Sequence, residues 1–202
     1  MKAKKIEIDT NTIRIKRHDG KIISMKIKDI KKIRADYAYF SIYPALGVGS
    51  RLSKKALLGH FPDYNMVIRS RRTKGTTFLG MIKSASFNNI GIFLKDHHIR
   101  ARHIFLSPFS LYRFTESNIK RHIVVYKSDT MFHLACFENG LPIFATSYSK
   151  TEQLDEFLSE FYEDGDATFT LLSNAPMDYT PPFAFKKFDK ISKEGIILNA
   201  IS

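Results

Sequence analysis

Few residues in this chain lend themselves to chemistry by type, and spacing decides most cases. Seven histidines are present, and His97, His98 and His103 lie close together. The pattern puts them at a helix end and on the strand after it, without the i, i+4 histidine pair or the cysteine partners that hold zinc. Surface or helix-terminal histidines are expected, and no metal site. Cys136 is the single cysteine. It falls on the same side of an apolar strand segment as Phe132 and Leu134, which predicts a small buried hydrophobe and not a nucleophile. Gly47-Val48-Gly49-Ser50 has the composition of an anion-binding loop, but the Gly-Lys-Ser/Thr spacing of a phosphate loop is missing. A strand-to-helix turn is expected there. Two-metal nuclease chemistry needs several converging acids, and the first half of the chain has few. No catalytic residue and no cofactor is therefore expected.

Two charged clusters are left as candidate contact surfaces with other molecules. Arg69, Arg71, Arg72 and Lys74 put four positive charges into six residues, and Glu152, Asp155 and Glu156 make one face of a later helix acidic. A single-stranded nucleic-acid site would interleave such cations with aromatics for base stacking; none stands between Ser70 and Thr77. The net charge of +12 is also unevenly placed: residues 1 to 130 hold 27 Lys and Arg against 9 Asp and Glu, and residues 131 to 202 hold 5 against 11. The basic part makes a field suited to an anionic membrane face, a nucleic acid or an acidic protein. The chain is 202 residues long and 44% hydrophobic, enough for one sizeable core or two small ones. No apolar run approaches the roughly 20 residues of a membrane-spanning helix. One cysteine and an opening of Met1-Lys2-Ala3-Lys4-Lys5 without a secretory pattern predict a reducing, cytoplasmic setting.

The elements that position these residues read as mixed α/β. Strands are expected over Lys4 to Asp9, Thr12 to Arg17 and Lys21 to Lys28, with a tight turn at His18-Asp19-Gly20. Another runs from Tyr37 to Tyr43. The segment Pro44 to Gly49 then predicts a loop, with Ser50 capping a short helix that carries Leu52, Ala56, Leu57 and Phe61. Strands follow over Asn65 to Arg69 and Thr76 to Ile82. Phe87, Ile90 and Leu94 fall at helical spacing, a strand covers His103 to Leu106, and Pro108 to Asn118 connects with a short helical turn. The second half predicts a meander of Ile123 to Tyr126, Met131 to Phe137 and Leu141 to Ser147, its second turn written by Asn139-Gly140. Ser149-x-x-Glu152 opens a helix with the stripe Leu154, Phe157, Leu158, Phe161, and Gly165 stands at its C-cap. Thr168 to Leu172 is a strand, and Ile196 to Leu198 a final edge strand.

Both halves thus show three antiparallel strands followed by a strand and a helix, the order of a ribonuclease-H-like unit. The halves divide at 1–118 and 119–202. Two such units in tandem resemble the actin-like ATPase superfamily, and within it the actin-like cytoplasmic domains of the inner-membrane assembly platform in type IV pilus and type II secretion systems. The resemblance rests on Phe40-Ser41-Ile42-Tyr43-Pro44, on Ile104-Phe105-Leu106-Ser107-Pro108, and on Ile123-Val124-Val125 followed by Asn139-Gly140-Leu141-Pro142-Ile143, and it spans residues 4 to 175. Nucleotide-binding members carry Asp-x-Gly-x-x-Thr-like turns between the first two strands of each half, where glycine lets backbone N–H groups reach phosphates and the aspartate holds metal. Here the first turn reads Asp9-Thr10-Asn11-Thr12, with Asn11 in the glycine's place. The second reads Tyr126-Lys127-Ser128-Asp129-Thr130, with Tyr126 at the aspartate and Ser128 at the glycine. Ser173-Asn174-Ala175 stands where an adenosine-side Gly-Gly turn belongs. The resemblance therefore implies a degenerate nucleotide site, and Asp9 reads as a turn aspartate bonding its own backbone.

The expected function is a non-catalytic scaffold of such a platform, peripheral to the inner membrane. Its partners would be other platform proteins and the motor ATPase, with the basic turn and acidic helix available to pair between subunits of a homo-oligomer. A nucleic-acid-binding protein using the basic first 130 residues is the alternative, and a small enzyme on a ribonuclease-H-like fold is the third reading.

Overall fold

In the computed structural model of the chain, residues 1–51, 53–69, 76–115, 118–161, 166–182 and 184–199 are described. The chain opens with β1 (Lys2–Ile8), β2 (Thr12–Lys16) and β3 (Ile22–Lys26), an antiparallel meander. The Arg17 N–H donates to the Lys21 carbonyl across the turn foreseen at residues 18–20. Then β4 (Ile33–Phe40) lies parallel to β1 on its other side. Next come β5 (Leu46–Ser50), α1 (Lys54–Gly59), β6 (Tyr64–Arg69), β7 (Thr77–Lys83) and α2 (Ser84–Asp96), and β8 (Ile99–Leu106) returns parallel to β4. The first sheet has the order β3-β2-β1-β4-β8.

After the short α3 (Ser107–Ser110), β9 (Arg121–Lys127), β10 (Phe132–Glu138) and β11 (Leu141–Tyr148) form the second meander. Its tight turn places Asn139 at φ +50° and Gly140 at φ +74°, the left-handed pair such a hairpin demands. Then α4 (Thr151–Phe161) crosses over to β12 (Thr168–Ser173), and β13 (Lys187–Ser192) adds a parallel edge before α5 (Ile196–Asn199). The second sheet runs β13-β12-β9-β10-β11-β5-β7-β6. Strands β5, β6 and β7 thus come from residues 46–83 of the chain and hydrogen-bond into the sheet of the later meander.

Period-two alternation divides the core between two layers. Val124 and Tyr126 point toward the first sheet, where they join Ile6, Tyr39, Phe40 and Ile197. Ile123 and Val125 point the other way and pack with Leu134, Cys136, Leu154, Leu158 and Phe169 beneath α4. Cys136 is buried, as its position in the strand foretold. Phe157 is half-buried and stacks on Phe144 with ring centroids 5.3 Å apart.

Three elements depart from the sequence reading. Residues 46–50 are a strand, not a loop, and Ser53 rather than Ser50 caps the helix, its Oγ accepting from the Ala56 N–H at 3.2 Å. Residues 196–199 are a helical turn, not an edge strand, because three consecutive apolar side chains are buried where a strand edge would alternate. Gly195 at φ +66° turns the chain in, and the Asn174 side-chain oxygen accepts from the Gly195 and Ile196 N–H groups. The edge strand is instead β13, whose polar run KFDKIS shows too little alternation to mark it. Ahead of α4, the side chain that reaches back to Ser149 is that of Gln153. The expected C-cap Gly165 lies outside the described residues.

Candidate functional site at the meeting of the two sheets

The two turns compared above with phosphate-binding turns come face to face. Asp9 follows β1 and is fully buried, and its carboxylate does two jobs: Oδ1 accepts from the Thr10 N–H at 2.9 Å, within its own turn, and Oδ2 accepts from the Asp129 N–H of the second turn at 2.8 Å. Thr10 and Thr130 hydroxyls meet at 2.9 Å. Across this junction lies Arg14 of β2. One of its terminal nitrogens, Nη2, donates to Asp129 Oδ1 at 2.8 Å, while Nη1 sits 3.6 Å from Glu7 Oε2 and 3.7 Å from Asp9 Oδ2.

Glu7 is the centre of the cluster. Register places it directly opposite Arg14 across the β1–β2 ladder. It is fully buried, and the Tyr126 hydroxyl donates to its Oε1 across the gap between sheets, joined there by the Ser41 hydroxyl at 3.3 Å. Asn174 Nδ2 reaches its other oxygen at 3.4 Å. Burial holds the Glu7 carboxyl above its ordinary range, with Arg14 and the Tyr126 hydrogen bond pulling the other way. Asp9 is likewise raised by burial, opposed by the backbone donor of Asp129. Burial alone would lower the Arg14 guanidinium, yet Glu7 and Asp129 hold it above its usual value. The cluster is a buried charge network whose cation is Arg14.

His133 extends the network. Its Nε2 faces the Ser41 carbonyl at 3.0 Å, and its Nδ1 faces the Ser147 hydroxyl at 2.9 Å. Ser128 donates to the same Ser41 carbonyl at 3.3 Å. Of the turn residues singled out in the sequence, Asp9, Tyr126, Ser128 and Asn174 all converge here. Glu7, Arg14, Ser41 and His133 were missed. A signal for two of them was present: Lys5, Glu7 and Asp9 recur at period two along β1 and the residue after it, and a hairpin centred on Thr10-Asn11 puts residue 14 opposite residue 7.

The residues present do not fit the phosphates and metal of a nucleotide. The N–H groups of Thr10 and Asp129, the donors such turns would offer, are both taken by Asp9. Both Asp9 oxygens are thereby engaged, and the two turns bond to each other where a ligand would separate them. Asp9 is more than the ordinary turn aspartate expected, since half of its bonding crosses to the other sheet.

The charged surface candidates do not join this cluster. Arg69 ends β6, and Arg71, Arg72 and Lys74 lie outside the described residues. Glu152 and Glu156 are exposed on α4, while Asp155 is half-buried and accepts from the Tyr179 hydroxyl at 2.7 Å. His97 packs on Phe93 and His103 stacks on Tyr37. No helix among the described residues is long and apolar enough to cross a membrane.

No family model matches the chain, and no curated protein matches its sequence. Solved structures do match in shape. A Bacteroides thetaiotaomicron protein with an actin-like ATPase fold and unknown function aligns with a TM-score of 0.58 at 10% identity, over 98% of this chain and 93% of that one. The cytoplasmic domain of EpsL, an inner-membrane component of the type II secretion system of Vibrio cholerae, aligns with a TM-score of 0.61 at 6% identity, over 97% of this chain and 91% of that one. The PilM–PilN type IV pilus biogenesis complex aligns more loosely, with a TM-score of 0.48 at 8% identity over 79% and 65% of the two chains. The first two alignments span nearly the whole chain and establish an actin-like fold with mixed sheets.

Proposed function

We propose that this chain is a non-catalytic, partner-binding scaffold on an actin-like fold, serving the cytoplasmic side of an inner-membrane platform for type IV pilus biogenesis or type II secretion. The observation that carries the reading is the closed junction of the two turns. A carboxylate of the first accepts the backbone donor of the second, and Arg14 supplies the positive charge that a nucleotide site takes from metal. A chain that spends these groups on itself keeps the shape of the fold and gives up its nucleotide chemistry. The near-complete overlap with the EpsL domain supports the platform setting. The proposal treats 1–118 and 119–202 as the halves of a duplicated fold, with β5 to β7 crossing from one to the other. It assigns partner contact to Arg69, Arg71, Arg72 and Lys74 and to the acidic face at Glu152, Asp155 and Glu156, with platform proteins and a motor ATPase as partners.

A pull-down from the native cell, paired with calorimetry, tests this. The chain is expected to retain membrane-platform proteins and to lose them when the four cations are reversed to Glu, with its circular dichroism unchanged. Titration with ATP and Mg²⁺ should give no heat. A micromolar dissociation constant for ATP, or tight binding to random nucleic acid at physiological salt that vanishes on charge reversal, would defeat the reading.

A further inference from the structure

At the N-terminal ends of three neighbouring parallel strands, like charges stand abreast. Lys2 of β1 is in register with Arg34 of β4, and Arg34 with Arg100 of β8. Residues in register on adjacent strands share a face and lie about 4.8 Å apart. Arg102, two residues along β8, falls on that same face, whereas Ala3, Ala35 and Ala101 alternate to the opposite one. His18, from the β2–β3 turn, closes one side. Together these residues line an open concavity of about 450 Å³ at the end of the first sheet. That volume is in the range of small-ligand sites.

Like charges directly opposite on a sheet destabilise it. No ion pair offsets the cost: among the described residues, Lys2, Arg34, Arg100 and Arg102 take part in none. Asp36 is the one carboxylate among the described residues that line the concavity, and it makes none either. Three arginines lining one hollow carry the planar forks that match phosphate oxygens two at a time. A monovalent or apolar ligand would leave most of that charge unanswered.

We propose that this concavity is a binding site for a small soluble molecule carrying a diphosphate or longer phosphate chain. The site stands apart from the buried junction of the two turns and is independent of the scaffold reading. Its concave shape favours a free molecule over a membrane, because the flat face of a bilayer would meet only the outermost cation tips. The unpaired ladder is then a binding device whose cost in stability is recovered when the anion is held.

Inorganic pyrophosphate, titrated calorimetrically into the full chain at low salt, is the probe. Binding should occur, and Arg34→Gln or Arg100→Gln should weaken it roughly tenfold, as losing one charge-assisted bond does. Asp36→Asn should tighten it, a gain that no folding defect can mimic. Without ligand, Arg34→Gln should raise the thermal midpoint. Absence of pyrophosphate binding, an affinity indifferent to these substitutions, or capture of phosphatidylglycerol vesicles or a single-stranded oligonucleotide in place of pyrophosphate would each overturn the assignment.

Discussion

His133 is buried on all sides, and its two hydrogen bonds leave the ring one tautomer. The Ser41 carbonyl only accepts, so Nε2 carries the proton and Nδ1 accepts from the Ser147 hydroxyl. Burial lowers its pKa from 6.5 to about 4, with Lys127 adding to the effect and the Ser41 bond opposing it. A base depressed in the folded state leaves the unfolded chain binding more protons at mildly acid pH. Its contribution is therefore complete above pH 6.5 and lost as pH falls toward 4, about 3 kcal/mol in all at 1.36 kcal/mol per unit. Glu7, raised by burial, acts in the opposite sense over an overlapping range, so a variant is needed to separate them. Urea midpoints of wild type and His133→Gln should converge between pH 7 and pH 4.5; parallel curves would show that the ring does not govern the loss. Nothing in the sequence around Met131 to Phe137 marks this histidine, because the Ser41 carbonyl that claims it is 92 residues away.

At the scale of elements, β5 is the strand that joins the residue 64–83 hairpin to the meander. It lies between β11 and β7, and close approach decides its sequence. A Cβ on Gly47 would stand 2.4 Å from the Phe78 ring and 3.1 Å from Ala145 Cβ. The sequence shows two glycines and invites a loop; the structure shows that glycine is there to let an aromatic ring cross the strand. Gly47→Ala should accordingly cost about 1–3 kcal/mol, the range of overpacking in a filled core. Gly91 in α2 makes the contrast, since nothing lies within 4 Å of its added Cβ. There the same substitution should stabilise by up to about 1 kcal/mol through helix propensity. Denaturant melts of the two variants should move in opposite directions, and a shared sign would refute the steric account.

For the molecule as a whole, Arg14 is the latch between layers. It belongs to the first sheet and bonds Asp129 at the β9–β10 turn of the second, while answering the buried charges of Glu7 and Asp9. Removing one member of such a network leaves uncompensated buried charge, so Arg14→Met should cost about 3–5 kcal/mol. Its pH dependence follows from the carboxyls. Both are already raised by burial, and losing Arg14 removes an influence that lowers them. An acid whose folded pKa exceeds its unfolded value is a liability once ionised, and that liability shrinks as pH falls through the folded value. The variant should hence recover part of its deficit between pH 7 and pH 5, measured against wild type by chemical denaturation. A deficit below 1 kcal/mol, or one identical at both pH values, would show that the sheets are held together without this latch.

Composition and local pattern by themselves determined the mixed α/β class, both meanders, the turn at Asn139-Gly140 and the stripe that buries Leu154 and Leu158 under α4. These depend on interactions within a few residues, where alternation, helical spacing and turn preference are legible. The order of elements carried the resemblance to an actin-like fold, and the missing glycines pointed to altered phosphate turns. How the two turns bond to each other was decided only in three dimensions. Glu7 meets Tyr126 and Asp9 meets Asp129 across 119 and 120 residues of chain, and a charged side chain on a strand looks the same in sequence whether it faces solvent or a buried partner. Residues 46–50 became a strand because β7 and β11 offered two open edges, and residues 196–198 became a helical turn because Asn174 caps it. In each case the deciding group comes from another element, and folding alone brings it within hydrogen-bond distance.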